Sequence, residues 1–371
     1  MLGTPADPTP LLESSSSSSK LGGILQHGHG PKPFSSAKLR KRAGKIIVVL
    51  LVVNAAVVGT LLALGNSFPS LVSAGVLAMS FGLRHAVDAD HIAAIDNVTR
   101  RLISEGRQPL LVGLWFSLGH SSVVCLICVA AACGSAYIQA FFDSVAGDVG
   151  GLVSVIVSAG LLLAVGIANL VGTLQAMAAQ HKGQPHDHGG IVARCCPVLL
   201  KAIDSEWKMV LLGFLFGIGF ETSSEVALLA LAAMGPSQGI PPAATLILPA
   251  LFAGGMSLVD TMDGMLMSFA YGAAAAHPGG RQLYNLILTL ASSFIAIFVG
   301  VVELLGCAQS RLGLEGGLWD GVAYLNAHFE LCGYVVIGFF ALSMLAALAA
   351  LTWPQSKADA AQCLPVTGCT V

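Results

Sequence analysis

The sequence has very few charged residues, and it contains none of the short motifs that mark soluble enzymes. Only 10% of its 371 residues are charged, whereas soluble domains usually carry about 25%. A phosphate-binding loop and the His-Glu-x-x-His motif are both missing, which argues against a built-in ATPase and against a zinc protease. No basic patch with interleaved aromatic residues is present, so we expect no nucleic-acid partner. The first apolar segment begins only at residue 46, so we expect no cleaved signal sequence.

Apolar residues make up 55% of the chain, and they are gathered into segments close to the ~20 residues that a membrane helix needs. We therefore predict an all-α polytopic membrane protein with about eight transmembrane helices, whose main partner is the lipid bilayer. The predicted spans are 46–65, 70–98, 110–133, 150–176, 209–234, 243–272, 283–306 and 331–353.

The distribution of basic residues predicts the orientation of these spans. If the N-terminal segment is cytoplasmic, 16 of the 18 Lys and Arg residues lie in cytoplasmic segments, as the positive-inside rule requires. We therefore expect a multi-pass membrane protein with both termini in the cytoplasm. The expected location is the plasma membrane, but the sequence leaves the cellular membrane open. Residues 1–45 are predicted to be a disordered cytoplasmic arm, 46–353 an eight-span membrane domain, and 354–371 a short cytoplasmic tail. A cytoplasmic loop at 177–208 contains three further histidines, His181, His186 and His188.

The second predicted span carries an unusual concentration of polar side chains. The run from Arg84 to His91 contains one arginine, two histidines and two aspartates, each of them costly inside a bilayer. On a continuous helix His85, Asp88 and His91 fall within an arc of about 120°, and Arg84 lies beside His91. Asp90 points elsewhere unless the helix is broken. We predict that His85, Asp88, Asp90 and His91 bind a divalent transition metal.

Other polar residues occur at membrane depth in the second, third, fifth and sixth spans. Imidazole and carboxylate ligands suit Ni, Co, Zn or Cu better than Mg or Ca. A structural role remains open for several of these residues, as helix–helix contacts or as pairs with Ser and Thr, and Glu303 is expected at the membrane interface. The candidates for the transport path are Arg84, Asp96, Asn97, His120, Glu221, Glu225, Asp260 and Asp263.

Four motifs resemble the nickel/cobalt transporter family, of the high-affinity nickel permease type. They are Arg84-His-Ala-Val-Asp-Ala-Asp-His91, Leu118-Gly-His-Ser-Ser-Val-Val124, Gly219-Phe-Glu-Thr-Ser-Ser-Glu225 and Gly255-Met-Ser-Leu-Val-Asp-Thr-Met-Asp-Gly264. They occur in the family's order and span most of residues 46–353. Glu221 is a departure, because the family usually has aspartate at that position.

The resemblance implies an eight-helix secondary transporter for Ni²⁺ or Co²⁺, in which His85, Asp90 and His91 recognise the metal. It implies no enzymatic activity and no cofactor, since the metal is the transported substrate. Membrane potential can drive the uptake of a dication, and proton exchange at the carboxylates can contribute. Two alternatives remain open, a metal-gated channel and an intramembrane metalloenzyme. The sequence does not rank Ni against Co, and it leaves the oligomeric state open.

Overall fold

A computed structural model describes residues 37–133, 151–181, 205–218, 223–276 and 281–352. In these ranges the regular secondary structure is helical throughout. The α-helices are α1 Ala37–Gly65, α2 Pro69–His85, α3 Ala89–Ser104, α4 Val112–Ala132, α5 Gly151–His181, α6 Met209–Gly217, α7 Ser223–Met234, α8 Pro242–Thr245, α9 Ile247–Ala276, α10 Arg281–Leu312, α11 Gly317–Ala327 and α12 Phe329–Thr352.

The prediction of an all-α polytopic membrane protein is confirmed. Within the described part of the chain, five helices are long and apolar enough to cross a membrane, or up to seven spans if two bent helix pairs each count as one. The predicted fifth span coincides with α6 and α7, but residues 219–222 between them lie outside the described ranges. The total of eight spans therefore stays a prediction.

The first helix begins at Ala37, nine residues before the predicted span. The intervening residues are mainly Lys, Arg, Leu and Ala, which are strong helix formers, so the helix continues outward past its apolar segment. Residues 37–45 therefore do not belong to a disordered arm. Leu39 and Ala43 are buried in a cluster with Leu110 and Met265. This end of the bundle carries the basic residues of α1 and the Arg100–Arg101 pair of α3, and we call it the basic face.

Helix α9 lies at the centre of the bundle and contacts α1, α2, α3, α4 and α12. It runs towards the basic face, because Leu248 near its start packs with Leu61 and Leu71, whereas Met265 belongs to the basic-face cluster. Glycine permits the closest of these contacts. A Cβ added to Gly113 of α4 would lie 1.9 Å from the backbone carbonyl oxygen of Asp260 on α9.

Two helix pairs are sharply bent where a membrane span would otherwise be continuous. The pair α2–α3 bends by 53° and the pair α11–α12 bends by 66°. Helix α12 packs directly against the first bend, because a Cβ on Gly333 of α12 would lie 1.6 Å from the carbonyl oxygen of Val87, between α2 and α3. Only glycine allows this approach, and the contact fixes α12 beside the break in the polar motif.

Candidate transport site

The polar motif of the second span lies at a break between two helices. Helix α2 ends at His85 and α3 begins at Ala89, so the expectation of one continuous helix through the motif is wrong. The backbone N–H groups of Val87 and Asp88 bond to carbonyls three residues back, which closes α2 with tight turns. Asp90 stands in the first turn of α3, and its Oδ1 accepts the backbone N–H of His91 at 2.8 Å. A carboxylate is favourable at that helix end, where backbone donors are unpaired.

Three histidines meet beside this break. His85, His91 and His120 are all buried, and one ring nitrogen from each lies within 4.8 Å of the others. Their ring centroids are 4.7–5.0 Å apart. His85 and His91 come from the ends of two short helices, while His120 is brought in by the packing of α4. Residues from three helices therefore supply one cluster of nitrogen ligands, and we call it the three-histidine cluster.

Glu225 adds an oxygen to the three-histidine cluster. It stands in the first turn of α7 and is only 1% exposed. Its Oε1 is 2.8 Å from Nε2 of His120 and 3.7 Å from Nε2 of His85, and these two nitrogens are 3.0 Å apart. Ligands held at about 2.1 Å by one tetrahedral ion lie about 3.4 Å from each other. The arrangement is therefore close to what a single metal ion requires.

Asp260 lies on the other side of the cluster. Its Oδ2 accepts a hydrogen bond of 2.6 Å from Ser117, and its Oδ1 is 3.7 Å from Nδ1 of His91. Oδ1 of Asp260 and Nδ1 of His91 are both buried, and neither has a hydrogen-bond partner among the described residues. Buried polar atoms are seldom left without a partner, so these two atoms are available to bind a further ligand.

An open cavity of about 1110 Å³ leads to the three-histidine cluster from the end of the bundle opposite the basic face. His85, Asp88 and Asp90 line its inner end, and we call the cavity the vestibule. Oδ2 of Asp88 is 3.8 Å from Nδ1 of His85. The structure thus brings His85 and His91 together as predicted, but it places Asp88 and Asp90 at the approach to the cluster. The side chains of His120 and Glu225 complete the group of nitrogen and oxygen atoms around His85 and His91.

Arg84 does not lie beside His91, contrary to the prediction from a continuous helix. The break at 86–88 separates the two residues, and Arg84 instead makes an ion pair with Glu330 in the first turn of α12. Both residues line the vestibule. Sequence reasoning missed Glu330, although an acidic residue directly before the apolar run of the last span was a usable signal.

Glu303 also lines the vestibule, where its Oε1 accepts a hydrogen bond from Ser158 of α5. It lies two turns before the end of α10, which extends to Leu312. The helix therefore continues beyond the predicted span end at 306, and the interfacial position of Glu303 stays a prediction.

Asp96 and Asn97 belong to a separate network between the cluster and the basic face. Tyr271 donates a hydrogen bond of 2.7 Å to Oδ1 of Asp96, and Ser292 donates to Oδ2. Asn97 accepts from Asn169 of α5 at 3.1 Å and donates to a backbone carbonyl of its own helix. These contacts link α3, α5, α9 and α10, so both side chains have structural partners that the sequence pattern did not reveal.

Asp263 lies one turn beyond Asp260 on α9 and is 4% exposed. Neither of its carboxylate oxygens has a hydrogen-bond partner among the described residues, and its charged neighbours are Asp260 and Asp96. Glu221 lies outside the described residues, as do His186 and His188 of the predicted loop. His181 ends helix α5.

The chain matches the family model described as "High-affinity nickel-transport protein" over residues 71–350. This range includes every helix from the polar motif to α12. No solved structure matches the chain.

Curated relatives that are named as nickel or cobalt transport proteins match most of the chain. This chain is 39% identical to the high-affinity nickel transport protein of Cupriavidus necator, over 84% of this chain and 92% of the relative. It is 40% identical to the nickel transporter NicT of Mycobacterium tuberculosis, over 78% of this chain and 80% of the relative. The cobalt transport protein NhlF of Rhodococcus rhodochrous is 34% identical, over 83% and 92% respectively. Matches of this extent show that the chain belongs to the family of high-affinity nickel-transport proteins.

Proposed function

We propose that this chain is a secondary transporter that takes up Ni²⁺, Co²⁺ or both across the plasma membrane. The observation that carries the proposal is the buried three-histidine cluster with Glu225, built at a helix break and reached from an open vestibule. Discontinuous helices are where transporters place ion sites. The choice of substrate is supported by the relatives, which are named as nickel and cobalt transport proteins.

The chemistry of the ligands agrees with this substrate. Imidazole nitrogens with one or two carboxylates favour Ni, Co, Zn and Cu, whereas Mg and Ca prefer sites made of oxygen alone. The proposed ligands are His85, His91 and His120 with Glu225. Asp88 and Asp90 line the vestibule next to His85, where their carboxylates attract a dication towards the cluster.

We place the basic face in the cytoplasm and the vestibule outside. The basic face carries Lys38, Arg40 and Lys41 of α1 together with Arg100 and Arg101 of α3. Such an excess of Lys and Arg marks the cytoplasmic side of a membrane protein. In this orientation both termini lie in the cytoplasm, and the metal enters from outside.

The membrane potential supplies the driving force in this proposal. An inside-negative potential contributes about 2.3 kcal/mol per charge for each 100 mV, which is about 4.6 kcal/mol for a dication. That free energy supports a concentration ratio of about 10³. Proton release on binding adds to the coupling, because imidazole and carboxylate ligands must be deprotonated to hold a metal.

The experiment is uptake of radiolabelled Ni²⁺ and Co²⁺ into metal-free proteoliposomes, each ion with the other as competitor, under an imposed inside-negative potential. We expect saturable uptake that collapses when the potential is removed. Ohmic currents carried by the metal would contradict a carrier and indicate a channel. Turnover of a lipid or peptide by the metal-loaded protein would indicate an enzyme.

His85→Ala and Asp90→Asn test the site in the same assay. We expect both variants to lose uptake while reaching the membrane in normal amounts, because each removes a group at the inner end of the vestibule. Ser122→Ala is the matched control, since among the described residues the Ser122 hydroxyl bonds only to a carbonyl of its own helix, that of Gly119. Normal uptake by either His85→Ala or Asp90→Asn would refute the assignment of that residue.

A further inference from the structure

We infer that Asp260 and Asp263 form a second binding station for the divalent metal ion, on the basic-face side of the three-histidine cluster. The ion would leave the imidazoles for these two carboxylates before it is released. This inference rests on the proposed transport function and adds to it a place for the ion in the second half of its path.

The position of the two aspartates follows from helix geometry. Residues three apart on an α-helix lie on the same face, about one turn from each other. Asp260 faces His91, and α9 runs from there towards the basic face, where Met265 packs against Leu39. Asp263 therefore lies one step from the histidines in the direction of exit.

Asp263 is poised to accept a ligand. It is 96% buried, and both of its carboxylate oxygens lack a hydrogen-bond partner among the described residues. A buried carboxylate with no donor is costly in its charged form, so it is either protonated or compensated by an ion or ordered water. Exchange of the proton for a metal ion then makes it a ligand. Asp96, its other charged neighbour, differs in this respect, because both of its oxygens already accept hydrogen bonds from Tyr271 and Ser292.

Unpartnered polar atoms also continue along the same two helices towards the basic face. The hydroxyl oxygens of Thr99 on α3 and Ser268 on α9 are fully buried and have no partner in the described part of the chain. Together with Oδ1 of Asp260 and both oxygens of Asp263, they extend the polar route away from the histidines. Oxygen ligands of this kind can replace part of the hydration shell of an ion.

The difference between imidazole and carboxylate ligands explains how a second station would help the ion to leave the histidines. Ni²⁺ and Co²⁺ bind imidazole more tightly than they bind carboxylate oxygens alone, and conduction requires that an ion can leave each site as well as enter it. Asp260 is the natural shared ligand, because its Oδ1 faces His91 while the residue stands one turn from Asp263. The ion can then exchange imidazole ligands for oxygen ligands without passing through an unliganded state.

The test compares the two faces of the transporter in the Asp263→Asn variant. Reconstituted vesicles are sorted into the two orientations, and the KM for Ni²⁺ is measured from each face. We expect the KM from the basic face to rise at least about tenfold, because loading from that side uses the second station first. The KM from the vestibule face should stay within about threefold of wild type, while the maximal rate falls at least about tenfold.

Thr261→Val is the matched control on the same helix, because the buried Thr261 hydroxyl bonds, within the described part of the chain, only to the carbonyl of Ser257 one turn back. It should leave both KM values unchanged. If Asp263→Asn cannot be recovered folded, Asp263→Glu replaces it, since it keeps the charge and displaces the oxygens. We expect it to lower the maximal rate and raise only the basic-face KM.

Three results would overturn the inference: wild-type kinetics in the Asp263 variant, equal increases of KM at both faces, or a loss of vestibule-face affinity like that of His91→Ala. The last two would make Asp263 part of a single site with the histidines. Failure of the proposed function is distinguishable from all three, because the wild-type protein would then take up neither Ni²⁺ nor Co²⁺.

Discussion

The two sides of the three-histidine cluster are built differently. On the vestibule side the cavity is open, and the charged residues Arg84 and Glu330 are paired with each other. On the basic-face side helices pack closely, and Asp263 is buried without a hydrogen-bond partner among the described residues. In the proposed transport cycle, a conformation with an open vestibule and a closely packed basic-face side would admit the ion from the vestibule first.

The largest expected effect comes from removing a ligand where the two sides meet. His120→Ala should reduce uptake at least about 100-fold, since loss of groups that only support a metal ligand already costs about 10–100-fold in affinity. Radiolabelled Ni²⁺ uptake measures this effect. Ser122→Ala, two residues away on the same helix, should behave like wild type. Uptake by His120→Ala within threefold of wild type would remove His120 from the site.

The free energy of unfolding tests whether the contact of α12 with Val87 supports the break between α2 and α3. Gly333→Ala places a methyl group against the Val87 carbonyl, 1.6 Å away before relaxation, and should lower the free energy of unfolding by about 2 kcal/mol or more. Gly338→Ala on the same helix has open space around the added methyl group and should be neutral or stabilising by up to about 1 kcal/mol. Thermal unfolding in detergent measures both. Equal stabilities would show that α12 does not hold the break.

Acid pH should weaken the histidine ligands. Protons compete with the metal for imidazole nitrogen, so the KM for Ni²⁺ from the vestibule face should rise at least about tenfold between pH 7.5 and pH 5. The measurement is initial uptake at constant membrane potential over that range. A KM independent of pH would argue against imidazole ligation.

The ion pair in the vestibule should have a smaller effect, confined to entry. Glu330→Gln removes one acidic group from the approach to Asp88 and should raise the vestibule-face KM about fivefold at low salt. The basic-face KM should not change, which is the opposite of the pattern expected for Asp263→Asn. The free energy of unfolding should change by less than about 1 kcal/mol, because exposed ion pairs contribute little and the Arg84 side chain is 47% exposed. A basic-face effect in this variant would contradict the division into two sides.

The smallest effect is expected in the network around Asp96. Tyr271→Phe removes one of the two donors to Asp96 and should cost about 1–2 kcal/mol of stability. Tyr334→Phe is the control, because Tyr334 is 55% exposed. Thermal unfolding measures both variants, and uptake should change by less than threefold in either. A loss of uptake as large as that of Asp263→Asn would place Asp96 on the ion path.

The sequence predicted the helical class, most helix boundaries to within a few residues, and the presence of polar residues inside the membrane. It did so because length, apolar composition and charge are local properties of each segment. The break at 86–88 was not predictable in this way, since the run Ala86-Val87-Asp88 contains neither proline nor glycine. The partner of Arg84 was likewise hidden, because Glu330 lies 246 residues further along the chain.

The apolar segments of the sequence by themselves determined that this chain spans a bilayer. The imidazole and carboxylate groups within those segments indicated a functional site, because burying such groups without a function would be too costly. Only the tertiary structure decided which of them meet. The contact of Gly333 with Val87 places α12 beside the break between α2 and α3, and the packing of α4 adds His120 to His85 and His91. These distances depend on packing between helices far apart in the chain, which no local pattern of residues encodes.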